Sequence, residues 1–310
     1  MTDAAPKRLL VIRLSAFGDV IHTIPAVVAL REALPQIEIA WAVEPAYAEL
    51  VEIVARVKAI RVSLKRWSLK PIAEARRDVR GFTTAIDFQG LIKSALIARA
   101  SGARDRFGFD RDVIREKPAA WFVNRHAKID RSKHVVEWNV ELARTFAPAI
   151  ARVPRVDFAA FANDASGELA RFGNRIVLLP GAGKPGKQWP VERFAELAKR
   201  IGSEALVVWG PGEQSLARAI GAEVAPATNF RELAFVLRHA KLVIGADTGP
   251  LHLAAALGTP LIGLYGPTDP ARNGPYGQLD HVVSSYATTR SMHDLSVDDV
   301  LRGILKINAR

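Results

Sequence analysis

The chain contains no cysteine, which excludes disulfide bonds, thiolate nucleophiles and cysteine-ligated metal ions. It also lacks any apolar run approaching the roughly 18 residues that a helix needs to cross a bilayer. Residues 1–8 lead directly into a strand-like segment, without the apolar region or small-residue cleavage site of a secretory signal. These absences together predict a cytoplasmic protein.

Several catalytic signatures are also missing. The chain has no complete GxxxxGK[ST] motif, so a P-loop kinase loses its main support. The seven histidines are scattered and form no HExxH pair, and no GxSxG nucleophile motif occurs. The sequence therefore predicts no metal site and no hydrolase-type serine nucleophile.

Positive charge is in excess and unevenly distributed. The chain carries 43 Lys and Arg against 32 Asp and Glu; residues 1–150 contain 25 against 17, and the remainder contains 18 against 15. The N-terminal half is thus expected to meet an anionic partner, and nucleic acid, an anionic membrane surface or a charged glycolipid would each fit. Arginines that merely solvate the surface would give the same count. The absence of interleaved stacking aromatics and of a nucleic-acid-binding module argues against nucleic acid.

Strand-like apolar runs alternate with helical patterns, which predicts parallel sheets covered by helices. The pattern loosens across 150–172 and then restarts, so we predict a linker there between two doubly wound halves. Open sheets of this type bind ligands beyond the carboxyl ends of their strands, and two halves imply a cleft. The region 104–134 is rich in arginine and is predicted to be loop-rich. The predicted strands are 9–14, 37–43, 59–64, 83–88, 176–179, 205–209, 242–246 and 261–265, and the last predicted helix is 296–307.

The junction after the strand-like run 241–245 has the pattern of an anion site. Pro250 suits the first turn of a helix that Gly258 closes, and Asp247 or Thr248 is expected to supply the side-chain cap. Backbone N–H groups and the helix dipole would attract a phosphate at this point. A well-capped helix in an α/β core would show the same residues.

A second acid follows the first strand. Asp19 comes just after Gly18 and before a helical apolar pattern. It could act as a general base if an acceptor hydroxyl lies within hydrogen-bonding distance. It could equally be an N-cap aspartate, and one residue can do both.

Other strand ends carry polar residues that could contact a ligand. The glycine-rich stretch 181–187 lets backbone approach a ligand, and its lysines can meet phosphate charge. Glu213 follows the next strand and could accept hydrogen bonds from ribose hydroxyls. Gln89 and Lys93 follow a strand in the basic half and could face the cleft.

Taken together, these segments resemble a known family. SAFGDVIHTIP at 15–25, IDFQGLIKS at 86–94, KQWP at 187–190, DTGPLH at 247–252 and YGPTDP at 265–270 occur in the expected order over nearly the whole chain. They resemble the ADP-heptose:lipopolysaccharide heptosyltransferases of glycosyltransferase family 9, and the heptosyltransferase I branch in particular.

The resemblance implies an α/β fold of GT-B architecture, in which two Rossmann-like doubly wound domains face a central cleft. It assigns 1–155 to an acceptor-binding domain, 156–290 to a nucleotide-sugar domain, and 291–310 to a C-terminal helix that can pack back on the first domain. The implied reaction moves L-glycero-D-manno-heptose from ADP-heptose to a Kdo residue of lipid A with inversion.

The resemblance also implies roles for individual residues. Asp19 matches the general base, and Lys187 matches the lysine that neutralises the departing diphosphate. The implied donor-binding residues are Gly181, Ala182, Gly183, Lys187, Glu213, Thr228, Asp247, Thr248, Gly249 and His252. The implied acceptor-binding residues are Ser15, Gly18, Lys65, Arg66, Gln89, Lys93, Arg115 and His134.

On this basis we expect ADP-L-glycero-D-manno-heptose, a Kdo-lipid A acceptor and an anionic membrane surface as partners. We expect no nucleic acid, no metal and no cofactor. A monomer that is peripheral on the inner face of the cytoplasmic membrane is the expected form. Two alternatives stay open: a family 9 relative with a different nucleotide-sugar or acceptor, and a non-catalytic protein that binds a nucleotide-sugar or an anionic surface.

Overall fold

The computed structural model describes residues 8–63, 77–164 and 167–308. Contacts divide the chain into two units, Met1–Val156 and Asp157–Arg310, and the division falls one residue after the predicted boundary. Each unit is a six-stranded sheet with its own helices. Within the described ranges, no helix has the length and apolar character needed to cross a membrane.

The first unit is built on an all-parallel sheet in the order β3-β2-β1-β4-β5-β6. Its strands are β1 Arg8–Ile12, β2 Glu38–Val43, β3 Lys58–Arg61, β4 Thr84–Asp87, β5 Asp105–Phe109 and β6 Arg125–Ala127. Its helices are α1 Phe17–Ala33, α2 Ala48–Leu50 with a π-helical turn Val51–Ala55, α3 Ile92–Ala100 and α4 Val135–Phe146. A 3-10 helix, Lys117–Phe122, connects β5 to β6.

The second unit repeats this design, with a parallel sheet in the order β12-β11-β10-β7-β8-β9. Its strands are β7 Ile176–Leu179, β8 Ala205–Val207, β9 Glu223–Val224, β10 Leu242–Ala246, β11 Leu261–Tyr265 and β12 Val282–Ser284. Its helices are α5 Val191–Ile201, α6 Gln214–Ala219, α7 Phe230–Arg238, α8 Gly249–Leu257, α9 Pro270–Asn273 and α10 Val297–Asn308.

In both sheets the first strand of the unit lies beside the fourth. The neighbours are β1 and β4 in one unit and β7 and β10 in the other. From each of these pairs the chain winds outward in opposite directions, which leaves a crevice beyond their carboxyl ends where ligands bind in open α/β sheets. The strand order therefore brings the segments that follow β1 and β4 together, and likewise those that follow β7 and β10.

Four strands were absent from the sequence prediction: β5, β6, β9 and β12. The region 104–134 is loop-rich, as predicted, but it also contains β5 and β6. All four strands are short, and β5, β6 and β9 carry charged residues. Arg125 of β6 pairs with Asp105 of β5 at 3.3 Å. Strands near a sheet edge bury fewer side chains than central ones, so an apolar-run criterion misses them.

The last helix, α10, begins and ends one residue later than predicted. Val297 and Val300 are part of the second unit's core, and Leu301, Ile304 and Ile307 pack against that core. The apolar face of α10 therefore belongs to the second unit's core. Burial of that face explains the placement, since the charged residues of α10 lie on its other side.

A buried carboxyl group fixes the turn after β4. Asp87 is 2% exposed, and its Oδ1 accepts from the backbone N–H of Gln89 at 2.9 Å and of Gly90 at 3.2 Å. Its Oδ2 accepts from the Ser94 hydroxyl at 2.9 Å. Burial raises the pKa of Asp87 to about 6, although these hydrogen bonds favour the ionised form and partly oppose the rise.

Asp87→Asn tests the effect of this burial on stability. The pKa of Asp87 is higher in the folded protein than the ordinary 3.8, so between about pH 4 and pH 6 folding takes up a proton. The native chain should therefore lose stability relative to the Asn variant as the pH rises through that window, by up to about 3 kcal/mol. Urea unfolding of both proteins across the window measures this difference.

Asp112→Asn is the matched control, because it removes an exposed carboxylate from the same unit. Its unfolding free energy should follow that of the native chain at every pH. A difference between native and Asp87→Asn that stays constant with pH would contradict the assignment.

Candidate active site

The first candidate site lies at the carboxyl ends of β1 and β4. Helix α1 begins at Phe17 with Ala16 as its N-cap residue, so Asp19 is the third residue of the helix. The prediction that Asp19 is an N-cap aspartate was therefore wrong. Its carboxylate reaches back instead, and Oδ2 accepts from the Ala16 backbone N–H at 3.4 Å.

An arginine holds this carboxylate. Nη2 of Arg13, the first residue after β1, lies 2.6 Å from Oδ2 of Asp19. Oδ1 has no hydrogen-bond partner among the residues that the structure describes, so one carboxylate oxygen is fixed and the other is open. Arg13 was missed in the sequence reasoning. The available signal was a cation directly after a buried strand and six residues before the candidate base.

The predicted acceptor residues occupy varied positions around this site. Oε1 of Gln89 accepts from the Leu14 backbone N–H at 2.8 Å, so Gln89 supports the loop that leads to Asp19. His134 is 5% exposed, and its Nδ1 accepts from the Val136 backbone N–H at 3.2 Å as the cap of α4. Its ring meets that of His22 edge-on at 5.4 Å, which makes it a buried structural neighbour of α1.

The other acceptor candidates differ in exposure. Ser15 is half-buried and Gly18 is buried, both at the start of α1. Lys93 is half-buried in the first turn of α3, and Arg115 is exposed in the connection after β5. Lys65 and Arg66 lie outside the described residues.

The second candidate site lies at the carboxyl ends of β7 and β10 and centres on a buried carboxylate. Asp247 follows β10, and its side chain is 9% exposed. Nζ of Lys187 lies 2.5 Å from Oδ2, and Nε2 of His252 lies 3.0 Å from Oδ1. Burial by itself would raise the pKa of Asp247, but the hydrogen bonds and charges of His252 and Lys187 outweigh it and lower the pKa to about 2. Asp247 is therefore a carboxylate that holds two basic groups.

Helix α8 begins beside this carboxylate with Thr248 as its N-cap residue. The expected side-chain cap is wrong for both candidates, because neither Asp247 nor Thr248 accepts from a backbone N–H of the helix. Lys187 and His252 occupy the oxygens of Asp247, and Oγ1 of Thr248 is buried without a partner in the described structure. The first turn, which includes Gly249, keeps N–H groups available for an anion. Gly258 closes the helix in the left-handed conformation, as predicted.

The glycine after β7, Gly181, lies against an acid that follows the next strand. Oε2 of Glu213 accepts from the Gly210 backbone N–H at 2.8 Å. A Cβ on Gly181 would lie 2.1 Å from Oε1 of Glu213, so a larger residue there would displace that carboxylate from its present position. The structure thus brings these two predicted donor residues together.

The remaining donor candidates lie on connecting segments. Ala182 is half-buried, Gly183 is exposed, and a Cβ on Gly183 would meet no heavy atom within 4 Å. Thr228 is half-buried and directly precedes Asn229, the N-cap residue of α7.

Lys187 is held near Asp247 by the residues that follow it. Trp189 is fully buried, and its Nε1 donates to the Leu295 carbonyl at 2.9 Å. A guanidinium nitrogen of Arg193 donates to the same carbonyl. These bonds tie the start of α5 to the segment before α10. Sequence reasoning missed this support, since more than one hundred residues separate the partners.

In the part of the chain that the structure describes, no three His, Asp or Glu side chains cluster in a way that could hold a metal ion. The charged groups at the two candidate sites are therefore protein side chains and helix termini. A carboxylate with one open oxygen can accept a proton. A lysine beside a helix N-terminus can stabilise an anion.

Comparisons with known proteins identify relatives of this chain. Residues 74–304 match the family model described as glycosyltransferase family 9 (heptosyltransferase). Lipopolysaccharide heptosyltransferase 1 of Salmonella typhimurium is 33% identical over 291 residues, which are 87% of this chain and 92% of that protein. Lipopolysaccharide heptosyltransferase 1 of Pseudomonas aeruginosa is 33% identical over 297 residues, covering 87% of this chain and 82% of the relative.

Solved structures give the same result. The Escherichia coli heptosyltransferase WaaC with ADP superposes with a TM-score of 0.80 at 30% identity, over 96% of this chain and 99% of that one. The same enzyme with ADP-2-deoxy-2-fluoro heptose gives 0.79 at 29% identity, over 97% and 99%. Two parallel-sheet units of this kind form the GT-B fold, and both the family model and the sequence relatives cover most of the chain. The protein therefore belongs to glycosyltransferase family 9, the heptosyltransferases.

Proposed function

We propose that this protein transfers L-glycero-D-manno-heptose from its ADP donor to a Kdo residue of the lipid A inner core. Relatives about one third identical are lipopolysaccharide heptosyltransferases, and a solved relative holds a fluorinated ADP-heptose. The observation that carries the proposal is the position of Lys187, which Asp247 holds next to the N-terminus of α8.

On the donor side, the diphosphate is bound by fixed positive groups. Three such groups lie together beside Asp247: Lys187, His252 and the first turn of α8. They do so because Asp247 contacts the two side chains and directly precedes the N-cap residue of the helix. The buried hydroxyl of Thr248 adds a donor for a phosphate oxygen. When the sugar–phosphate bond breaks, ADP gains negative charge, and preorganised donors stabilise that charge. Lys187 and the helix terminus supply this stabilisation, and the proposal includes no metal ion.

The nucleoside is assigned to the neighbouring strand ends. Gly181, Ala182 and Gly183 let the backbone after β7 approach the donor. Glu213, whose carboxylate lies against Gly181, accepts from the ribose hydroxyls. Thr228, ahead of α7, completes the donor-binding set.

On the acceptor side, Asp19 is the general base. As the acceptor hydroxyl oxygen bonds to the anomeric carbon, its proton passes to Oδ1 of Asp19 and the bond to the diphosphate breaks. A single displacement of this kind inverts the configuration at that carbon. The acceptor is anionic, and Lys93 and Arg115 with the surrounding basic residues of the first unit would attract it. We extend the proposal to a monomer that works at an anionic membrane surface on its cytoplasmic side.

Asp19→Asn tests the reaction and its base. Removing a general base lowers the rate by about 10²-fold to 10⁴-fold, while ADP binding should stay unchanged because Asp19 belongs to the first unit. We would measure ADP release from ADP-heptose with Kdo-lipid A as acceptor and with EDTA present, and ADP affinity by calorimetry. Asp298→Asn, at an exposed position on α10, is the control and should keep full activity.

The same assay on the native chain distinguishes the proposed reaction from the alternatives. Donor binding without turnover would show that Kdo-lipid A is not the acceptor. Donor binding with no turnover for any acceptor tested would favour a non-catalytic binding protein. Absence of ADP-heptose binding would reject the heptose assignment.

Lys187→Met tests the diphosphate site. It removes a charge-assisted contact, so ADP affinity should fall by about 10-fold to 100-fold. AMP affinity should fall less, because AMP lacks the second phosphate. Lys184→Met removes an exposed lysine of the same loop and should change neither affinity. Equal losses of ADP and AMP affinity in Lys187→Met would place the lysine away from the second phosphate.

A further inference from the structure

Arg13 connects the ends of two central strands to the candidate base. It is the first residue after β1, and its side chain is 12% exposed. Nη1 donates to the Phe88 carbonyl after β4 at 2.5 Å, and Nη2 lies 2.6 Å from Oδ2 of Asp19. One planar guanidinium therefore spans a fixed carbonyl and the carboxylate.

The backbone of Arg13 is itself held by the sheet. Its N–H donates to the Ala42 carbonyl at 3.3 Å, and its own carbonyl accepts from Nε1 of the buried Trp41 at 3.0 Å. Phe88, which carries the other acceptor, donates its N–H to the Ile12 carbonyl at 3.0 Å. Supporting groups of this kind fix a functional side chain more tightly than a surface loop could.

The carboxylate has few other constraints. Its side chain is 38% exposed, and its second described contact, from the Ala16 N–H, is long at 3.4 Å. Without Arg13, rotation about the side-chain bonds of Asp19 would be limited mainly by the start of α1. With Arg13, Oδ2 is occupied and Oδ1 is the oxygen left to accept a proton.

We propose that Arg13 is a positioning residue for the transfer reaction, which fixes Asp19 so that Oδ1 meets the acceptor hydroxyl. This inference rests on the proposed function, in which Asp19 is the base. Arg13 acts through Asp19 and does not hold substrate, so its loss should lower kcat and leave KM for both substrates nearly unchanged. Lysine keeps the charge but has no planar fork, so it preserves the contact to Asp19 less well than arginine.

The experiment compares Arg13→Met and Arg13→Lys with the native enzyme in the heptosyl transfer assay. Misplacement of a reacting group by about 1 Å costs about 10²-fold in rate. We expect kcat of Arg13→Met to fall by about 10-fold to 100-fold, and Arg13→Lys to recover most of that loss. Arg8→Met is the matched control: Arg8 begins the same strand and pairs with Glu38 at 2.9 Å, away from Asp19. It should keep the native kcat.

A double-mutant cycle with Asp19→Asn gives the decisive readout. If Arg13 acts through Asp19, Arg13→Met should lower kcat in the native background and have almost no further effect beside Asp19→Asn. Equal losses in both backgrounds, or a loss confined to KM, would overturn the inference while leaving the proposed function intact. No transfer by the native chain, or full activity of Asp19→Asn, would overturn the proposed function and Arg13's role with it.

Folding is checked separately by urea unfolding of each variant. If Arg13→Met does not fold, Arg13→Gln replaces it in the same cycle, because glutamine keeps a polar side chain with an N–H donor but carries no charge. Equal losses of kcat in the two backgrounds would again overturn the inference, and a loss confined to the native background would support it.

Discussion

The constraint on which both sites depend is the pairing of the first and fourth strands within each parallel sheet. β1 lies beside β4 and β7 beside β10, and these central strands are almost entirely buried. A strand buried on both faces leaves polar side chains no place except its ends. Charged groups therefore collect where the two strands finish, and the chain winds away from that point on both sides. The same topology, used twice, creates two polar sites from one design.

The two sites use a carboxylate in opposite ways. Asp247 is 9% exposed and has a basic group on each oxygen, and its pKa is held at about 2. Such a group is a poor proton acceptor and serves to hold Lys187 and His252. Asp19 is 38% exposed and has one cation on Oδ2, while its Oδ1 has no hydrogen-bond partner among the described residues. The two acids thus differ in their contacts, although both follow a strand and adjoin a helix, and this difference fits the proposed role of Asp19 as the base.

Much of the fold could be predicted from the sequence. The long apolar runs gave β1, β4, β10 and β11 to within two or three residues, because buried parallel strands are nearly continuous in apolar residues. Short strands with charged residues, such as β6, were not predicted, because their sequences resemble those of loops. Helix caps were assigned by residue type, and this failed at Asp19 and Asp247, where a nearby cation competes for the carboxylate.

The candidate site was predictable where its residues share one segment or match a motif of the family. Asp247, Thr248 and His252 lie within one turn and its junction, and they were identified together. Arg13 was not, because its significance comes from the Phe88 carbonyl, 75 residues away and adjacent only through the β1–β4 pairing. A buried strand pattern reveals that two strands exist but not which of them are neighbours. Contacts that depend on strand order therefore require the structure.

Strand pairing also explains why the end of β4 carries a buried acid, Asp87, that does not contact Asp19. Asp87 destabilises the fold when it ionises, since burial raises its pKa to about 6. An apolar residue there would avoid that cost but could not accept the N–H groups of Gln89 and Gly90. The turn that those bonds fix presents the Phe88 carbonyl to Arg13 and the Gln89 side chain to the loop before α1. The ionised Asp87 thus lowers the stability of the fold near neutral pH, while its hydrogen bonds keep the residues around Asp19 in place.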